Sequence, residues 1–303
     1  MTVFTAQQSR DLDCLESLLD QWLKPPEGCE NSKVWEAARY SALGAGKRIR
    51  PVFFFVTCRL FGAAFTEEAC RLAAAIEMIH TYSLIHDDLP SMDDDDYRRG
   101  KPACHVVFGE GTAILAGDLL LNRAYETMFG ACVHPPSVGF FNAMKSIAKA
   151  AGGEGMVLGQ DLDLAMEKRG LQDVTIRDVE RMACLKTGAL IETAIRSAAL
   201  LCGASMTDLA DLSDVGRSVG LAFQIKDDIL DGIDVGGKLG KTRHKDVRDG
   251  KKTFVTIAGP EEAEMWLADH TDRAADALRR LERRGLNTAE LHDLTRRLME
   301  RTY

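Results

Sequence analysis

The chain has 303 residues, with 46% hydrophobic and 28% charged side chains, which describes a folded globular protein and excludes a disordered one. Its net charge of −8 argues against general affinity for nucleic acid or for an anionic membrane surface. An anionic substrate would therefore need local cations. The N-terminal stretch has no basic region followed by an apolar run, and the most apolar segment, residues 51–65, is broken by Arg59 and too short to span a bilayer. The eight cysteines include no CxxC pair and read as reduced thiols. Together these features point to a cytoplasmic protein without stable membrane association.

Taken in chain order, the apolar residues recur at helical spacing, and strict alternation is scarce. Leu12, Leu15, Leu19 and Trp22 form one face of a first helix, stopped by Pro25-Pro26. Further helices are predicted over 67–89, 111–133 and 136–151. Thr175 and Asp178 resemble a capping box that opens a helix running to about Cys202. From Ala183 to Ala204 the only charges are Lys186, Glu192 and Arg196, so this helix belongs in the middle of a bundle or at a subunit interface. Leu209, Leu212, Val219 and Phe223 mark a helix ending near Gly232, and two more cover 261–284 and 288 onward. No proline falls between Ser137 and Gly259, and no composition shift or linker divides the chain. The expectation is an all-α bundle of about ten or more helices, with residues 1–303 as a single domain.

Three groups of residues carry chemistry. The segment from Asp87 through Asp96 holds six carboxylates in ten residues, among them Asp87, Asp88 and Asp93, with Arg98 and Arg99 immediately after. Pro90 ends the helix and lets the chain turn, so Asp93 can return beside Asp87. Hard oxygen ligands of this kind suit Mg²⁺, which prefers one or two carboxylates plus substrate phosphates. The second group is Gln224, Asp227, Asp228 and Asp231, spaced i, i+3, i+4, i+7 on one face of an otherwise apolar helix. Three acids on such a helix are costly unless they coordinate something. The third group is basic: Lys47, Arg48 and Arg50 before an apolar helix, Lys186 inside one, and Lys241, Lys245 and Lys251 in a loop after the second acid group. Two acid groups with separated cations describe a diphosphate site.

The motifs that carry this chemistry, in order, are GKRIRP (46–51), IEMIHTYSLIHDDLPSMDDDDYRRGKP (76–102), LAGDLLL (115–121), GQDLDL (159–164), KTGAL (186–190), FQIKDDILD (223–231) and the lysine-bearing loop 239–253. The series resembles the trans-prenyl diphosphate synthase family, and within it the bacterial farnesyl diphosphate synthase type. The resemblance implies the isoprenoid synthase fold, a helical bundle around a central cavity with the two acid motifs facing each other. It implies about three Mg²⁺ ions per site, with Mn²⁺ as a substitute, held by Asp87, Asp88 and Asp93 from one side and Asp227, Asp228 and Asp231 from the other. Arg98, Lys186, Thr187, Gln224 and Lys241 match contacts to the allylic diphosphate. Gly46, Lys47, Arg50, His80 and Arg99 match those to isopentenyl diphosphate, and Lys251 matches a lysine that closes over the site. Gln160 and Asp163 match a polar pair near the second metal site. The implied reaction breaks the allylic C–O bond to an allylic cation, which the double bond of isopentenyl diphosphate attacks. Asp87, Asp93, Arg98, Lys186, Asp227 and Lys241 would carry that chemistry, and a homodimer is implied.

Product length depends on the helix that carries Asp87, because one turn rises about 5.4 Å, close to one isoprene unit. Ser83 lies one turn back, with Tyr82 beside it. The small Ser83 leaves room for a tail and Tyr82 limits it, a pair that resembles farnesyl synthases. Geranylgeranyl or geranyl diphosphate is the alternative product. His86 reads as a packed helix residue. A non-catalytic partner subunit would lack one acid motif, and a terpene cyclase would lack the basic set of Lys47, Arg50 and Arg99.

Overall fold

The structure is a computed structural model that describes residues 4–63, 65–132, 137–233 and 251–301. Among them are fourteen α-helices and one two-stranded hairpin. The helices are α1 (Ala6–Trp22), α2 (Lys33–Ala42), α3 (Ile49–Leu60), α4 (Glu67–Asp87), α5 (Cys104–Phe108), α6 (Glu110–Phe129) and α7 (Val138–Ala151). They continue as α8 (Met156–Glu167), α9 (Ile176–Ala183), α10 (Ala189–Leu201), α11 (Met206–Ile233), α12 (Phe254–Ala258), α13 (Pro260–Arg283) and α14 (Ala289–Met299).

Local chemistry sets several of the starts. Thr5 with Gln8 and Thr175 with Asp178 form capping boxes, Thr66 and Ser137 accept from the backbone N–H three residues on, and Pro260 opens α13. The expected helix 111–133 ends earlier, at Phe129; residue 133 lies outside the described residues. The continuous helix expected from Thr175 to Cys202 is divided. Between α9 and α10 the five residues Cys184–Gly188 form a π-helical segment that contains Lys186 and Thr187. Such a bulge re-aims side chains without ending the helix, and it occurs often at functional sites.

The most apolar helices occupy the middle. Leu72, Ile76, Met78 and Ile79 of α4 are all fully buried, as are Leu190, Ile191 and Ile195 of α10. α4 packs along α6 and against α3, while α10 lies among α3, α7 and α11, and α11 runs along α13. One continuous apolar core reaches from Leu15 in α1 to Met299 in α14. A second cluster, with Met182, Leu221, Ile225, Ile229 and Phe254, packs α11 against α9 and α12 below the second acid group. No helix among the described residues is long and apolar enough to cross a membrane.

Candidate active site

The first acid group begins where α4 ends. Past Asp87 the chain reverses, and the Asp93 backbone N–H returns to donate to the Asp87 carbonyl at 2.8 Å, while that of Asp95 donates to Asp88 at 3.1 Å. This turn brings Asp93 back to Asp87. Asp88 is buried and held by Arg98, whose Nε donates to it at 2.8 Å and whose Nη2 donates to it and, at 3.3 Å, to Asp95. Burial pushes the Asp87 carboxyl up to about 6 despite nearby Lys186. Burial acts the same way on Asp93, but Lys186 and Lys251 overcome it and hold Asp93 below the ordinary carboxylate value. Lys251 Nζ lies 3.3 Å from Asp93 Oδ2.

The π segment interacts with both acid groups. Lys186 Nζ donates to Asp163 of α8 at 2.6 Å. Although burial opposes the charge, Asp87, Asp163 and Asp93 hold its pKa above the usual lysine value. The next residue, Thr187, donates to Gln224 Oε1 at 2.7 Å, and Gln224 Nε2 donates to Asp228 at 2.9 Å. The other Asp228 oxygen accepts from the Phe254 backbone N–H at 3.0 Å. Of these two adjacent side chains, Lys186 lies in the field of the first acid group and Thr187 is bonded to the second. Asp227 is half-buried and paired with Arg301, and the half-buried Asp231 lies on the next turn of α11.

The basic group forms around Glu77 of α4. Glu77 is buried, accepts from Arg48 at 2.7 Å and lies 3.7 Å from Arg99. Arg48 is further bound to Glu16 at 2.6 Å and to the Ala42 and Gly44 carbonyls. Arg50, also buried, has its pKa lowered by burial to about 10, with Glu77 and Asp227 working against that shift. Its Nε and Arg99 Nη1 are buried without a hydrogen-bond partner among the described residues. A Cβ at Gly46 would meet the Arg99 guanidinium at 2.7 Å, so this loop needs glycine there; Lys47 beside it is exposed. His80, one turn beyond Glu77, is held well below its ordinary pKa by burial and by Arg50, Arg99, Arg48 and Arg98, so it stays neutral. Buried guanidinium donors that lack acceptors, beside a neutral imidazole, describe an anion site.

The backbone is strained around the same groups. The non-glycine residues with positive φ among those described are Arg48 (46°), Asp94 (50°) and Arg99 (56°). Arg99 and Gly100 form the turn of the hairpin that pairs Tyr97 with Pro102 and Arg98 with Lys101, and both have positive φ as a type I′ turn requires. An arginine in this conformation is unfavourable, and here the turn sets the Arg99 side chain against Glu77 and Gly46. Tyr82 is buried, and Ser83, half-buried, donates its hydroxyl to the His80 carbonyl at 2.9 Å. Lys241 lies outside the described residues.

Two contributors escaped the sequence reading, Glu77 and Arg301, and Arg48, read only as one of the basic group, turns out to hold Glu77. Glu77 carried a signal, being the only acid in the apolar run from Leu72 to Ile79. Arg301 carried none. Among the described residues no three His, Cys, Asp or Glu side chains converge into a closed metal cage. The oxygen donors still fit Mg²⁺, because this ion takes one or two carboxylates and completes its shell with phosphate and water.

The sequence profile described as polyprenyl synthetase matches residues 31–282. The chain is 41% identical to the farnesyl diphosphate synthase of Escherichia coli over 276 residues, 90% of each chain. It is 43% identical to a geranylgeranyl diphosphate synthase of Cyanophora paradoxa over 230 residues, 76% of each. A geranyltransferase from Helicobacter pylori, solved with magnesium and isoprenyl diphosphate, superposes with a TM-score of 0.81 at 27% identity, covering 98% of this chain and 97% of that one. Two acid motifs that both interact with one π segment, buried arginines beside them and these likenesses agree: the chain is a prenyltransferase and belongs to the polyprenyl synthetase family.

Proposed function

We propose that the enzyme condenses isopentenyl diphosphate with dimethylallyl or geranyl diphosphate and releases farnesyl diphosphate as its main product. The observation that carries this reading is the π segment, where Lys186, bonded to Asp163, lies in the field of Asp87 and Asp93 while Thr187 bonds Gln224 of the second acid group. A diphosphate lying between Asp87/Asp93 and Asp227/Asp228/Asp231 would meet a fixed ammonium, a fixed hydroxyl and the Arg98 and Lys251 cations. Asp87 and Asp93 would ligate Mg²⁺ from the first group and Asp227, Asp228 and Asp231 from the second, with Asp88 engaged in holding Arg98. When bound, Mg²⁺ neutralises the departing diphosphate as the allylic C–O bond breaks. The anion site of Lys47, Arg50, Arg99 and His80 would hold isopentenyl diphosphate with its double bond toward the allylic carbon. His80 is a poor base, since burial and the surrounding arginines oppose its protonation. The proton lost after condensation therefore passes to the released diphosphate.

Tyr82 and Ser83 support the farnesyl product, while the similar identities to farnesyl and geranylgeranyl enzymes leave product length to experiment. Leu115 and Phe129 are exposed and lie on one face of α6, and Ile114 is exposed beside them. This apolar surface supports pairing with a second copy, which sedimentation would measure. The decisive assay mixes the protein with isopentenyl diphosphate and either allylic diphosphate, with Mg²⁺ or with chelator, and sizes the products. Condensation that needs Mg²⁺ and yields farnesyl diphosphate is expected; no condensation under any condition would overturn the reading.

A further inference from the structure

Counting back from Asp87 along α4, Ser83 lies one turn below on the same face, whereas Tyr82 is turned by about 100° around the helix. Tyr82 shares its face with His86, four residues on, and this face meets α6. His86 is seated there in a defined way. Its Nε2 lies 3.0 Å from the Ile114 carbonyl oxygen, and since a carbonyl only accepts, this nitrogen carries the proton. The imidazole lies directly over Gly117. A Cβ at that position would sit 2.1 Å from Nε2 and 2.5 Å from Cδ2, so the seat exists only because residue 117 is glycine. The imidazole also meets the Tyr82 ring edge to face, with centroids 5.7 Å apart and planes at 79°. Tyr82 is only 7% exposed.

A tyrosine that limits a growing hydrocarbon must not rotate away when the tail presses on it. Packed side chains keep one rotamer only while their neighbours fill the alternatives. On the α6 side, His86 fills that space, and His86 is itself fixed by the Ile114 carbonyl and Gly117. We propose that His86 is a positioning residue for product length: locked onto α6 at Gly117, it braces the Tyr82 ring as the stop for the prenyl chain. The inference rests on the reading of Tyr82 as that stop.

The test sizes products from four variants, His86→Ala, Gly117→Ala, Tyr82→Ala and the double variant His86→Ala/Tyr82→Ala, with thermal unfolding to establish that each is folded. His86→Ala is expected to raise the ratio of longer product to farnesyl diphosphate by roughly three- to tenfold, the scale of one lost aromatic contact. Gly117→Ala displaces the imidazole without altering α4 and should shift the ratio the same way. The double variant should match Tyr82→Ala alone, because His86 acts through Tyr82. Lengthening in Tyr82→Ala with an unchanged ratio in both His86→Ala and Gly117→Ala overturns the bracing role and leaves the Tyr82 reading standing. An unchanged ratio in all four overturns both. Slower turnover with an unchanged ratio in His86→Ala also counts against the proposal, since a merely structural role would produce it.

Discussion

Arg301, two residues past α14, is ion-paired with Asp227 of the second acid group. Its guanidinium stacks 4.0 Å from the centroid of the Phe223 ring and donates to the Phe223 carbonyl at 3.3 Å. The Arg301 side chain is nearly inaccessible, and its Nε and Nη1 have no hydrogen-bond partner among the described residues. A protein cation thus neutralises a carboxylate that we assign to metal binding. Arg301→Gln is expected to tighten Mn²⁺ binding to the substrate-free enzyme, read by calorimetric titration. It should cost about 1–2 kcal/mol of stability through the lost stacking, since Asp227 is exposed enough to rehydrate. Unchanged ion affinity would count against competition at Asp227.

Lys186 is held by Asp163 and faces both Asp87 and Asp93. Lys186→Gln leaves the first acid group without that cation and removes the donor that we assign to the leaving diphosphate. Turnover should fall by roughly 10²–10³-fold, as when a fixed donor to a developing charge is lost. Steady-state kinetics with varied allylic diphosphate measures this, and an unchanged kcat would exclude the assigned role.

Glu77→Gln removes the acid that Arg48 and Arg99 share. Arg48 keeps Glu16 and two carbonyl acceptors but remains a buried charge with less compensation. A loss of about 3–5 kcal/mol in urea unfolding is expected, the usual cost of breaking a buried pair from one side.

Replacing Ser83 by Phe fills the face directly below Asp87. The product should shorten to geranyl diphosphate, identified by chromatography. An unchanged farnesyl product would mean that the tail does not descend along this face of α4.

His270 of α13 is buried against Trp266, and burial, then Arg273, hold its pKa below the ordinary value, with Asp269 and Glu180 opposing. The unfolded imidazole takes a proton near about pH 6.5, and the folded one only at lower pH. Its contribution is complete above that pH and is lost as pH falls below it. The melting temperature of His270→Gln should therefore drop less than that of the wild type between about pH 7.5 and 5.5.

Much of the fold was legible because helices declare themselves locally. Apolar spacing, the Thr175–Asp178 box and the proline-free stretch are properties of neighbouring residues. The i, i+3, i+4, i+7 spacing of Gln224, Asp227, Asp228 and Asp231 likewise placed them on one face before any contact was known. The π segment was not legible. The run from Cys184 to Gly188 reads as an ordinary apolar helix, and a local widening changes no periodicity that a short window detects.

By itself, then, the sequence determined the all-helical architecture, the two acid groups and the family, since each follows from short-range spacing or from motifs in order. Only the tertiary structure decided which charges meet: Arg98 with Asp88, Glu77 with Arg48, Arg301 with Asp227, and His86 over Gly117. These pairs lie between 10 and 74 residues apart in the chain. No local preference encodes them, because they form only where packing of the helices brings their side chains into the same small volume and removes the water between them.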